Sequence, residues 1–146
     1  MVRSESSVEV AHSAEEVFAF LADGTNNPKW RPGVFEIRHL RGSGVGAEYQ
    51  QQFEGPGGRM MRASYRVSVW EEPTRLEFEV TAGPARPRGS FEIRAISPTA
   101  CRVTFTITLE PQGVMKLVQG MIEGQVTKEA AAIKNLPRAM GESSRL

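Results

Sequence analysis

The sequence has little of what most catalytic and macromolecule-binding chemistry is built from. It holds one cysteine, Cys101, in 146 residues. A single thiol cannot close an internal disulfide, which fits a reducing compartment. Its position at the start of an apolar alternation predicts a buried structural thiol rather than a nucleophile. The only two histidines, His12 and His39, lie far apart with no spaced cysteine or aspartate partner, so no metal-ligand set is expected. Neither sign of charge dominates: 18 basic side chains stand against 17 acidic ones. Nucleic acid and anionic membrane are therefore not expected as partners. No apolar run approaches the ~20 residues that cross a bilayer, so no membrane insertion is expected. The opening MVRSESSVEV lacks the apolar centre of a secretory signal. A cytoplasmic location follows as the expectation. Serine elbows and dinucleotide fingerprints are missing too. Gly42-Ser43-Gly44-Val45-Gly46 and Gly55-Pro56-Gly57-Gly58 read as hairpin turns, not phosphate cradles, and no cofactor is expected.

What the chain does have begins with a proline-free stretch from Gly113 to about Leu136. Val114, Leu117, Val118, Met121, Ile122, Val126, Ile133 and Leu136 recur at three- and four-residue steps, which predicts a long helix with one buried face. Gln125 and Glu129 fall near the middle of that apolar arc, one turn apart. Gly120, Gly124 and Ala131 follow one edge, where a close approach to the backbone is expected. Rotating the helix to wet Gln125 and Glu129 would expose five large apolar residues at ~1.5–3 kcal/mol each, so both should stay inside.

Upstream the period is mostly two. Ser6 to Val10 predicts a first strand. Ser13 followed by Glu16 is a capping box for a short amphipathic helix carrying Val17, Phe18, Leu21 and Ala22. Gly24 to Pro28 breaks it, and a turn or second short helix carries Trp30, stopped by Pro32-Gly33. Strands are then predicted at Val34–Leu40, Val45–Phe53, Met60–Glu71, around Leu76 to Val80, around Phe91 to Ala95, and from Val103 to Leu109. A break from Gly83 to Pro87 separates the fourth and fifth of these. Val103, Phe105, Ile107 and Leu109 alternate with Thr104, Thr106 and Thr108, so the threonines should face outward. Phe35, Ile37, Val67, Val69, Phe78 and Phe91 are expected in the core. The order predicts one α+β domain over residues 1–146. It comprises a curved seven-stranded antiparallel sheet wrapped around the long C-terminal helix, with two short helices between the first two strands. A curled sheet closed over by one helix leaves a hollow between them.

The order of elements resembles the START-like, helix-grip (SRPBCC) superfamily. That superfamily includes polyketide cyclase/dehydrase and lipid-transport proteins and the plant pollen-allergen fold. The stretches that carry the resemblance are VEVAHSAEEVFAFL (Val8 to Leu21), Asn27-Pro28-Lys29-Trp30, Gly44-Val45-Gly46-Ala47-Glu48-Tyr49, Glu71-Glu72-Pro73-Thr74-Arg75-Leu76, and the terminal strand and helix. The resemblance implies a cavity for an apolar ligand between sheet and helix. It carries over no catalytic signature.

Polar groups on the faces expected to point inward are His39, Tyr49, Gln51, Tyr65, Gln125 and Glu129. A buried carboxylate must be neutral, paired or hydrated. Glu129 is therefore either bonded to a strand residue such as Gln51, Tyr49 or an arginine, or a cavity acid that holds or protonates a ligand carbonyl. Trp30, Met60, Met61, Met115 and Met121 are either core packing or adaptable apolar lining. Arg59 and Arg62, beside the glycine-rich turn, are solvated or meet an acidic ligand. Two functions are compatible with this set. One is binding of a small hydrophobic molecule (lipid, isoprenoid or polyketide-like) by Trp30, His39, Tyr49, Gln51, Met61, Tyr65, Met121, Gly124, Gln125 and Glu129. The other is a cyclase/dehydratase with Glu129 or His39 as acid/base and Tyr49 or Tyr65 polarising a carbonyl.

Overall fold

Seven strands form one antiparallel sheet in the computed structural model, which describes residues 1–81 and 86–141. The strands are β1 (Val2–Val10), β2 (Val34–Arg41), β3 (Glu48–Glu54), β4 (Met60–Glu71), β5 (Arg75–Val80), β6 (Arg88–Ser97) and β7 (Ala100–Leu109). Their spatial order is β1-β7-β6-β5-β4-β3-β2. After β1 the chain crosses to the far edge through α1 (Ala14–Ala22) and α2 (Asn27–Trp30), then returns strand by strand until β7 pairs with β1. The first strand starts earlier than Ser6 because Val2 to Glu5 pair with the end of β7. Most of the expected break from Gly83 to Pro87 lies outside the described residues.

Local chemistry starts α1 as the spacing predicts. The Ser13 hydroxyl accepts from the Glu16 backbone N–H at 3.1 Å, and the Glu16 carboxylate accepts from the Ser13 N–H at 3.4 Å. Ala14, Val17, Phe18 and Leu21 are then buried beneath the helix. In β7, Val103, Phe105, Ile107 and Leu109 are buried, while the threonines between them are half-exposed. Aromatic rings run across the sheet's inner face: Tyr49 stacks on Tyr65, Tyr65 meets Phe78, and Phe91 stacks on Phe105 at 4.5 Å.

Two expectations about the core are corrected. Phe35 is exposed, not buried. Val34 pairs with Phe53 and Glu36 with Gln52, so Phe35 is the extra residue of a bulge on an edge strand and its side chain turns outward. Ile37, Val69 and Phe78 are half-buried, whereas Val67, Phe91, Phe105 and Ile107 belong to the core.

The second correction concerns the C-terminal helical run, 113–139. It opens as a 3-10 turn (Gly113–Val118), continues as α3 (Gln119–Ala131), tightens again at Ala132–Asn135 and ends in α4 (Leu136–Ala139). Ile122, Val126, Ala130, Ile133 and Leu136 are buried, with α3 packed on β1 and β7. Val114, Leu117, Val118 and Met121 are exposed instead of buried. Beneath these first turns lies a hollow rather than a packed core, so there are no side chains to cover their apolar face.

Candidate ligand cavity

The hollow between the sheet and the helical run has a volume of about 300 Å³. Much of its wall is apolar. Phe53, Met61, Ala63, Val80, Ile107 and Leu109 come from the strands, and Met115, Ile122 and Val126 from the helical run. Gly89 completes the floor. A side chain there would collide with the Phe78 ring, whose far end approaches bare backbone.

Four polar residues stand among these: Arg31, Gln51, Gln125 and Glu129. Gln51 is buried, and its side-chain oxygen has no hydrogen-bond partner among the described residues. Gln125 donates from Nε2 to the Glu54 backbone carbonyl at 3.1 Å, which ties α3 to the end of β3. Glu129 is half-buried and has no ion-pair or hydrogen-bond partner among the described residues. It does not bond to Gln51, Tyr49 or an arginine. Arg59, Arg62 and Arg88 also border the cavity, but they are exposed and form its rim.

Arg31 follows α2 and is held there by backbone on both sides. Its N–H bonds the Asn27 carbonyl at 2.9 Å, and its own carbonyl accepts from the Val34 N–H at 3.0 Å. The preceding Trp30 packs edge-to-face against the stacked pair Phe91 and Phe105, and Asn135 Nδ2 donates to the Trp30 carbonyl at 3.1 Å. Arg31 is only 8% exposed. It also borders a second, much smaller hollow of about 10 Å³, shared with Asn27, Leu21 and Tyr65.

Of the residues singled out from the sequence, Gln51, Met61, Gln125 and Glu129 stand together on the cavity wall. Met115 joins them, and Arg59 and Arg62 stand at the rim, whereas the remaining ones, the exposed Met60 included, lie elsewhere. Trp30 is a core residue, 1% exposed. Tyr65 is buried on the small hollow and accepts a hydrogen bond from Asn27. Tyr49 donates to the Ala22 carbonyl at 3.4 Å. Burial pushes both phenols above their ordinary value, Tyr65 much the more. His39 is exposed on β2, stacked on Tyr49, with Nε2 2.6 Å from the Gly42 carbonyl oxygen. Met121 points to solvent. Gly120 and Gly124 mark no close approach, since nothing lies within 4 Å of a side-chain carbon built on either. Docking of Ile122, Val126 and Ala130 on the sheet turns both glycines to the wet side. The close approaches are at Gly89, at Gly55, which has the Met61 thioether against it, and at Gly24, which has the Tyr65 hydroxyl and the Tyr49 ring against it. Sequence reasoning passed over Arg31 and Gly89. The one available signal for Arg31 was a charged residue wedged between a core tryptophan and a proline.

The model of a family described as polyketide cyclase/dehydrase and lipid transport matches residues 1–138. The chain belongs to that family. Among curated protein sequences none matches it. Solved structures share its START-like fold at low identity. An aromatase/cyclase, Zhui from Streptomyces sp. R1128, is 16% identical with a TM-score of 0.77, covering 94% of this chain and 93% of its own. A START superfamily protein from Mycobacterium smegmatis is 18% identical with a TM-score of 0.73, covering 94% and 98%. The di-domain aromatase/cyclase BexL of the BE-7585A biosynthetic pathway is 19% identical with a TM-score of 0.70. That match covers 97% of this chain, which spans about half of BexL, 48%. No helix among the described residues is long and apolar enough to cross a membrane.

Proposed function

We propose that this family member binds a small, mainly apolar molecule in the cavity between its sheet and its C-terminal helical run. The observation that carries this reading is the hollow itself. A volume of about 300 Å³ is at the lower end of the range that holds small ligands, roughly 300–1,000 Å³. Its wall pairs apolar area with a few polar groups, one of them a buried amide oxygen without a partner among the described residues. Such a group costs about 1–3 kcal/mol in the empty protein and becomes an anchor once a ligand hydroxyl or N–H reaches it. The whole chain acts as one binding unit in this reading.

The test is native mass spectrometry of the purified protein for a co-purifying small molecule, together with displacement of an apolar fluorescent probe. Ala63→Phe fills the cavity from β4. It should abolish probe binding while the far-ultraviolet dichroism stays that of the parent. Undiminished probe binding by that variant would place the site elsewhere.

A catalytic reading draws support from one observation, the unpartnered Glu129 carboxylate on the cavity wall. Tyr49, Tyr65 and His39 are not beside it, so no second acid/base group from that set assists. Glu129→Gln keeps the shape and removes the charge. On the binding reading it changes affinity modestly, and on the catalytic reading it abolishes turnover while the ligand still binds.

A further inference from the structure

Arg31 is more than nine-tenths buried, and its guanidinium has no hydrogen-bond or ion-pair partner among the described residues. Its guanidinium lies over the Trp30 ring, whose centroid is 5.7 Å from Cζ. A cation over an aromatic face is attracted by the ring but keeps its N–H donors available. Burying a charge without a counter-charge is unfavourable, and proteins accept it where a ligand completes the pair. Arg31 borders the same hollow as Gln51, whose buried oxygen is likewise unpartnered. On one cavity wall, then, two polar groups of residues more than nine-tenths buried, the Arg31 guanidinium and the Gln51 amide oxygen, lack hydrogen-bond partners among the described residues. The exposed rim points the same way. Arg59, Arg62 and Arg88 surround the opening without ion-pair partners among the described residues, a field that draws anions inward.

We propose that Arg31 anchors a carboxylate, and that the ligand is a mainly apolar monocarboxylate with its acid group buried against this guanidinium. The proposal rests on the reading of the cavity as an apolar-ligand site and narrows it. A planar guanidinium matches a carboxylate through two parallel N–H···O bonds. A phosphate monoester fits less well: it brings nearly two negative charges to a wall with one buried cation and the Glu129 carboxylate. A neutral alcohol or hydrocarbon would leave Arg31 unpaired in a cavity it had just dried.

The experiment uses the full chain stripped of lipid and three probes of equal chain length: dodecanoate, dodecanol and dodecyl phosphate. Titration calorimetry at neutral pH should show dodecanoate binding at least about tenfold more tightly than dodecanol, the yield of one charge-assisted pair. Arg31→Met should erase that preference, weakening dodecanoate while dodecanol, freed of an unpaired charge beside it, binds no more weakly than to the wild type, and Arg31→Lys should keep part of the preference. Thermal melts check that each variant folds, and the wild-type comparison stands without any variant. Equal affinity for dodecanoate and dodecanol overturns the anchor. So does a preference that survives in Arg31→Met but vanishes in the Arg59→Gln/Arg62→Gln double variant, which would place the anion at the rim. Dodecyl phosphate binding more tightly than dodecanoate overturns the carboxylate assignment. Failure of all three probes to bind overturns the apolar-ligand reading as well as the anchor built on it.

Discussion

The side-chain amide of Asn27 donates a 3.1 Å hydrogen bond to the hydroxyl oxygen of Tyr65, joining α2 to β4 through the interior. Burial raises the Tyr65 phenol far above its ordinary 10.0, and the Asn27 bond and the nearby Arg31 charge offset only part of that. A phenol with a raised folded-state pKa contributes stability that is fully present below its unfolded value. That contribution is lost as pH climbs from about 10 toward the folded value, because the unfolded chain ionises first. Urea denaturation should show stability falling above pH about 10 by up to ~1.4 kcal/mol per unit. Tyr65→Phe should flatten that fall and cost about 1 kcal/mol at neutral pH, since Asn27 loses its acceptor. An unchanged alkaline slope in the variant refutes the assignment.

Gly89 and Gly124 should respond oppositely to alanine. At Gly89 the new methyl meets the Phe78 ring, which has to shift. A loss of about 1–3 kcal/mol and a smaller cavity are expected. At Gly124 the methyl enters open space on an exposed helix face, where alanine is favoured by up to about 1 kcal/mol. Urea midpoints of the two variants decide the matter, and a destabilised Gly124→Ala contradicts the solvent-facing placement.

Gln51→Leu removes the buried, unpartnered amide oxygen. The empty protein should gain stability of order 1 kcal/mol, while affinity for a hydroxyl-bearing apolar probe drops. Melting temperature without ligand and calorimetry with it give the two readouts. A variant that is less stable and binds equally well shows that Gln51 is structural.

Leu117 and Ile133 lie on the same helical run and differ in what covers them. Leu117 is 86% exposed and Ile133 is 0% exposed. Leu117→Ser should change stability by less than about 0.5 kcal/mol. Ile133→Ala should cost about 2–5 kcal/mol. Comparable losses at the two positions indicate that the first turns of the run are packed in solution.

Much of the fold was legible because its signals are local. The Ser13–Glu16 cap, the alternation from Val103 to Leu109 and the helical spacing from Ile122 to Leu136 each depend on neighbours within one or two turns of chain. These determine the α+β class, the seven strands and the inward face of β7. The inward set Gln51, Gln125 and Glu129 was readable for the same reason, since period alone puts them on apolar faces.

Other features depend on what an element meets, and only the tertiary structure decided them. Phe35 satisfies the alternation of β2, yet the pairing of Val34 with Phe53 and Glu36 with Gln52 leaves it in a bulge facing outward. Leu117 and Met121 complete an apolar helical face, but periodicity cannot show that the face overlies a hollow. Tyr49 shares a strand face with Gln51, and the curl of the sheet carries it beneath α1, where its hydroxyl meets Ala22 rather than the cavity. Arg31 reads as an ordinary surface cation beside a tryptophan. It becomes a buried charge without an ion-pair partner among the described residues because Phe91, Phe105 and Asn135, distant in sequence, hold the neighbouring Trp30 in the core and so set Arg31 on the cavity wall. Whether a charge is buried, and against what, depends on such long-range packing, which no local pattern encodes.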